Sequence, residues 1–303
     1  MRTTIRTAAA LALVTGLLAA CTGTAASPSA AAPSPTAASC APDTLPTKTS
    51  AKLTIGTDNP AFPPYFRPRE GGNTEPWDPA QGDPTTGEGF ESAVAYAIAG
   101  ELGFAEGDVQ WVVVPFNNAI APGPKDFDFD INQVSFTEER TQNVDLSEGY
   151  YFGNQAVVVA EDGEFADATT LTELKEAKLG AQIGTTSLDA IEEVIQPTQE
   201  PGVYDTNDLA IEALDNGQID GLVVDLPTAF FIIFVQTEGN TVIGQIEPRI
   251  VGAEPQPFSL VLEKDSPLTD CVNEAIRTLA DDGTLQSLID EWLQDETVPV
   301  LQP

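Results

Sequence analysis

Apolar positions along the chain fall into two spacings, and the two alternate. Leu53 to Thr57, Val109 to Val114, Ala156 to Ala160, Leu179 to Ile183 and Ile219 to Val224 are short β-rich runs bounded by turn residues, which predicts strands. Between them, Phe90, Val94, Ala97, Ile98 and Leu102 recur at helical spacing, and so do Leu188, Ile191, Val194 and Ile195. Leu209 to Asn216 reads as a helix stopped by Gly217, and Pro227 opens another just after the strand that ends at Val224. Thr170-Leu171-Thr172-Glu173 is a capping-box pattern for a short helix. Two helices close the chain, one carrying Leu268, Val272, Ile276 and Leu279, the other Leu285, Leu288, Ile289 and Trp292. Strands alternating with helices predict an α/β architecture.

The first 50 residues follow neither spacing. Arg2 and Arg6 precede an apolar run from Ala8 to Leu18, the pattern of an export signal over residues 1–21. Leu18-Ala19-Ala20-Cys21 looks like a bacterial lipobox, in which Cys21 is acylated and becomes the new N-terminus. The alternative is an ordinary cleaved signal that happens to end near Cys21. Residues 22–50 are rich in Ala, Ser, Thr and Pro, too poor in large apolar side chains to form a core, and read as a tether.

The 303 residues exceed one ordinary core, which predicts two domains. Lys and Arg number 13 against 47 Asp and Glu, a net charge of −34 that leaves no basic patch for nucleic acid. No histidine is present, which removes the usual general base and the commonest metal ligand, so no metal or cofactor is expected. Of three cysteines, Cys21 goes to lipid. Cys40 and Cys271 remain, in a compartment that permits disulfides, and are expected to pair.

Three stretches carry candidate chemistry. In Ser135-Phe136-Thr137-Glu138-Glu139-Arg140, hydroxyls able to start a helix stand close to a guanidinium, a plausible carboxylate receptor. The same residues fit equally well a capped surface helix with a solvated Arg. In Gly184-Thr185-Thr186-Ser187 a strand meets a helix start, which makes either a second anion site or ordinary Thr capping. Asp225 ends a buried-looking strand, where ligands bind in α/β sheets; its other reading is a cap for the Pro227 helix.

The run Ser135-Phe136-Thr137-Glu138-Glu139-Arg140, followed by Val144-Asp145-Leu146-Ser147 and Tyr150-Tyr151, resembles the family 3 extracellular solute-binding proteins, receptors of polar amino-acid ABC transporters. In that family a strand ends in Ser/Thr-x-Thr-x-x-Arg, then Val-Asp-Phe/Leu-Ser and an aromatic pair. Gly89-Phe90-Glu91 opens the family's helix signature, although Ala93 stands where an acid is usual. The resemblance runs from about Leu53 to Trp292.

It implies a two-lobed, periplasmic-binding-protein-like type II fold with two hinge crossovers, near Phe152–Asn154 and near Glu254–Phe258. Lobe 1 would combine residues 51–152 and 257–303, and lobe 2 would hold 153–256. An amino acid bound in the cleft would draw the lobes together. Arg140 would hold its carboxylate, with help from Ser135, Thr185 and Thr186, and Asp225 would hold its ammonium. Phe62 and Phe116 would stack on its side chain, with Asp58 and Asn132 reading it. Gln133 replaces the Gly or Ser of many relatives and alters the pocket floor. The partners implied are an ABC permease and, through the anchor, the extracytoplasmic face of the membrane, with the protein a monomer.

Two other classes fit the same fold. A dehydratase-like enzyme would need Asp58 or Asp225 as its acid or base, and a ligand-sensing lipoprotein would need a separate signalling partner. The anchor is tested by fractionation: Cys21→Ala is expected to move the protein from the membrane fraction into the medium, and continued membrane retention would mean another anchor.

Overall fold

A computed structural model describes residues 40–78, 81–293 and 298–303. The export signal, Cys21 and residues 22–39 of the tether lie outside the described residues.

Strands β1 (Leu53–Thr57), β2 (Val109–Val113), β3 (Phe129–Asp130), β4 (Val144–Tyr151) and β10 (Phe258–Glu263) form one mixed sheet in the order β2-β1-β3-β10-β4. Strands β5 (Gln155–Ala160), β6 (Leu179–Gln182), β7 (Gly202–Tyr204), β8 (Gly221–Asp225) and β9 (Asn240–Ile246) form the other, in the order β7-β6-β8-β5-β9. In each sheet three neighbouring strands run parallel, β2-β1-β3 and β7-β6-β8. Their carboxyl ends are where an α/β sheet presents its binding crevice.

Helix α1 (Phe90–Glu101) forms as its spacing predicts: Phe90, Val94 and Ile98 are fully buried. It packs with α6 (Thr269–Asp281) and α7 (Thr284–Trp292) over one face of the first sheet, while the short α2 (Phe116–Ile120) covers part of the other. The second sheet is covered on both faces. Alternation along β5 sends Val157 and Val159 into one core and Ala156 and Val158 into the other, the period of two that a pleated strand imposes. Helices α4 (Asn207–Asp215) and α5 (Leu226–Phe231) lie over the second of these cores. Helix α3 (Thr186–Asp189), which continues as a wider π turn from Ala190 to Ile195, lies over the first.

Three local expectations change. The Ser135/Thr137 helix is reduced to a single turn, Arg140–Gln142, with Thr137 Oγ1 accepting from the Arg140 N–H at 3.2 Å. The capping box at Thr170 does form, Glu173 Oε2 accepting from the Thr170 N–H at 3.0 Å, but it caps only the short turn Glu173–Glu176. The tether ends before residue 50: Cys40 and Leu45 are buried in the first core. Cys40 is joined to Cys271 on α6 by a disulfide with Cα atoms 5.6 Å apart.

The chain passes to the second sheet between β4 and β5 and returns between β9 and β10. It then crosses once more. Leu293 belongs to the first core, whereas Val300 pairs with Gln245 of β9, Gln302 pairs with Thr170, and Leu301 is fully buried in the second lobe. Residues 298–303 therefore belong with the second sheet and not with lobe 1. The reason is local fit. Gly244 lacks the side chain that would collide with Leu301, whose Cγ lies 2.8 Å from where a Cβ would stand. Leu301→Ala should destabilise the protein by about 2–5 kcal/mol, the cost of a large-to-small change in a packed core. Denaturant unfolding measures it, and an unchanged midpoint would mean that this segment adds nothing.

Candidate functional site

The parallel strands of the two sheets end at a common cleft. From the first sheet come Asp58, Phe62, Phe116, Asn132, Gln133, Ser135 and Arg140; from the second come Gln182, Thr185, Thr186, Ser187, Asn207 and Asp225. All ten residues singled out for ligand contact in the sequence thus line one cavity.

Arg140 is buried, only 8% exposed. Its Nη1 donates to the Ser135 carbonyl in its own lobe, and its Nη2 donates to the Gly184 carbonyl in the other at 2.8 Å. The guanidinium lies over the Phe116 ring, 5.6 Å from its centre. Phe116 is thus placed as a platform for Arg140, buried with Val134, Val144 and Val261. No carboxylate lies within ion-pair distance of Arg140 among the described residues. Two of its five N–H groups are spent on carbonyls, and the planar fork keeps donors for an anion.

Asp225 ends β8 and makes no cap hydrogen bond to α5, which argues against a capping role. Gln155 Nε2 donates to its Oδ1 at 2.7 Å. Burial pushes the Asp225 carboxyl up to about 6, against the pull of Gln155 and of the Arg140 charge. Gln155 also accepts from Ser187 Oγ, so one amide sets the positions of an acid and a hydroxyl. This residue was not legible in sequence, being one polar position at the start of a strand.

At the other end, Asp58 accepts from the N–H groups of Asn59 at 2.7 Å and Phe116 at 3.1 Å. Burial raises its carboxyl nonetheless. Asn132 is 7% exposed, and its Nδ2 has no hydrogen-bond partner among the described residues. A buried amide donor facing a cavity is costly unless something accepts from it. Gln133 stands at φ 48°, a left-handed conformation, held by Glu91 of α1.

The lobes also touch directly. Ser135 Oγ and Thr186 Oγ1 are 3.2 Å apart, as are Tyr65 Oη and Thr228 Oγ1, and the Phe62 ring lies 6.4 Å from that of Phe231. Thr185 caps α3, accepting from the Leu188 N–H while its hydroxyl donates to Gln182 O at 2.7 Å. Gly184 stands at φ 74°, a conformation that favours glycine, and a Cβ there would stand 2.9 Å from Asn117 Oδ1 of the other lobe.

The L-cystine-binding protein TcyJ of Escherichia coli K12 is 29% identical over 215 residues, covering 70% of this chain and 76% of its own. The arginine-binding extracellular protein ArtP of Bacillus subtilis is 27% identical over 232 residues, covering 73% and 83%. Among solved structures, an ancestral arginine-binding protein bound to arginine is 26% identical with a TM-score of 0.62, over 80% of this chain and 97% of that one. An ancestral amino acid-binding protein described as a precursor of cyclohexadienyl dehydratase shares the fold at 24% identity and a TM-score of 0.62, over 80% and 95%. Residues 53–295 match the family directly, and the chain belongs to the bacterial extracellular solute-binding proteins, family 3.

Proposed function

We propose that the cleft captures an amino acid with a basic side chain and that the protein delivers it to the transmembrane subunits of an ABC importer. The observation that carries the ligand class is the charge count. One guanidinium, Arg140, and two carboxylates, Asp225 and Asp58, line the same closed space. An α-carboxylate on Arg140 and an α-ammonium near Asp225 account for one charge of each sign. Asp58 is left over, and a cationic side chain balances it. Similarity to arginine-binding proteins supports the same class.

In this reading Ser135, Thr185 and Thr186 flank the carboxylate, Phe62 covers the ligand, and Asn132 supplies a donor or acceptor beside Asp58. The pairing of opposite charges at both ends contributes only if each is well hydrogen-bonded, a condition that Gln155 meets for Asp225. The receptor acts as a monomer on the extracytoplasmic face, held there by acyl chains on Cys21. It is a binding protein and not an enzyme. A dehydratase would consume its ligand, so recovery of unchanged amino acid after long incubation separates the two.

In a thermal-shift screen of the twenty amino acids, arginine and lysine should raise the melting temperature most. A ligand at 100 times its dissociation constant adds about 2.7 kcal/mol. A response limited to neutral or acidic amino acids would overturn the assigned class.

Asp225→Asn should weaken arginine binding by several kcal/mol, on the order of the 3–5 seen when one partner of a buried charge pair is removed. Arg140→Lys should also weaken it, since the ammonium lacks the fork. Calorimetric titration measures both, and near-native affinity in Asp225→Asn would make Asp225 structural.

The pH dependence has a definite sign. Asp225 titrates at about 6 and must be ionised to pair with an ammonium. Affinity should be level above pH 6 and fall roughly tenfold per unit below it, a dependence that Asp225→Asn abolishes. The same raised carboxyl costs the fold stability as pH rises from its unfolded value near 4 to about 6. Asp225→Asn should therefore melt higher than wild type at pH 7.5, and the gap should close near pH 4.

A further inference from the structure

Glu91 is fully buried, yet it stands in the first turn of α1 and reaches the floor of the cleft. It accepts a hydrogen bond from the Gln133 backbone N–H at 2.7 Å, another from Gln133 Nε2, and a third from the Tyr150 hydroxyl at 2.5 Å. Gln133 lines the cleft at φ 48°, where a side-chain-bearing residue is strained and glycine is not. Burial pushes the Glu91 carboxyl up to about 7 even with all three donors in place. An acid held this deep is retained at a cost, and its three partners are two atoms of Gln133 and one residue of the strand that leads into the hinge.

We propose that Glu91 is a positioning residue for ligand capture: it locks Gln133 into its left-handed conformation and ties down the Gln133 amide, giving the cleft floor one fixed shape. The pair works as a unit. Glycine at position 133 would reach the same backbone conformation unaided, so a glutamine there creates the need for the lock. The lock also decides what the floor offers. Released, the Gln133 amide would swing into space that the ligand side chain needs, adding a donor and an acceptor of its own. The functional part of this inference rests on the reading of the cleft as a ligand site, whereas the lock itself does not.

A double-mutant cycle tests both parts, using wild type, Glu91→Gln, Gln133→Gly and the two combined. Glu91→Gln keeps the shape and one oxygen acceptor for the Gln133 N–H and Tyr150, but sets its own amide N–H₂ against that of Gln133. Removing a buried charge favours the fold in either background, so the lock is read as the difference: at pH 7.5 the change in melting temperature on Glu91→Gln should be less favourable when residue 133 is glutamine than when it is glycine. Equal changes in both backgrounds would overturn the lock.

The second readout is calorimetric titration with L-arginine and L-glutamine. Glu91→Gln should weaken arginine binding about tenfold, the size set by one strained backbone position. It should also narrow the preference for arginine over glutamine, and the added Gln133→Gly change should restore both. Unchanged affinity and preference in Glu91→Gln would overturn the positioning role. A wild-type protein that binds neither amino acid would sink the ligand reading alone, because the melting cycle still decides the lock.

Discussion

One guanidinium serves both lobes. Arg140 stands on a single turn between β3 and β4, donates to a carbonyl on its own side and to Gly184 on the other, and rests on Phe116. Its charge is buried without an ion pair among the described residues, which is an expensive arrangement in a medium of low polarity. Carbonyl dipoles offset part of that cost. In the proposed reading, the remainder is met by a carboxylate that fills the fork. Around this group the other features take their places: Gly184 must be small, Ser135 and Thr186 must meet, and Phe116 must be a platform before it can be anything else.

The alternation of strands and helices was readable because each element carries its own period. Phe90, Val94 and Ile98 mark the buried stripe of α1 within a dozen residues, and the run Ile219 to Val224 marks β8. Strand β9 lacks such a mark, since Asn240-Thr241-Val242-Ile243-Gly244-Gln245-Ile246 mixes small and polar residues through a bulged pairing. The return of residues 298–303 to the second lobe was hidden for a related reason. Six residues with two prolines show no period, and Leu301 is explained only by the glycine it meets 57 positions earlier.

The cleft divides along the same line. Asp58, Arg140 and Asp225 could be picked out because strand ends in an α/β sheet point to one crevice. Gln155 and Glu91 could not, since their meaning lies in contacts 70 and 42 residues away. Phe116 shows the intermediate case. Its place at the site was legible, and its role beneath the guanidinium was a matter of geometry. On β3, both oxygens of the fully buried Asp130 lack hydrogen-bond partners among the described residues, and burial raises its carboxyl well above the usual range. With Glu91, Asp225 and Asp58 also raised, the protein gives up stability along the line where its charges are needed.

The third crossing gives the molecule a built-in gauge. Cys40 is fastened to α6 in the first lobe, while Val300 pairs with β9 and Gln302 with Thr170 in the second. The first and last described residues are thus fixed to bodies on opposite sides of one hinge. A pair of fluorophores, one placed beside each of these ends, would have its separation set by the angle between the lobes. Opening and closing could then be followed by energy transfer in solution, without a label in the cleft.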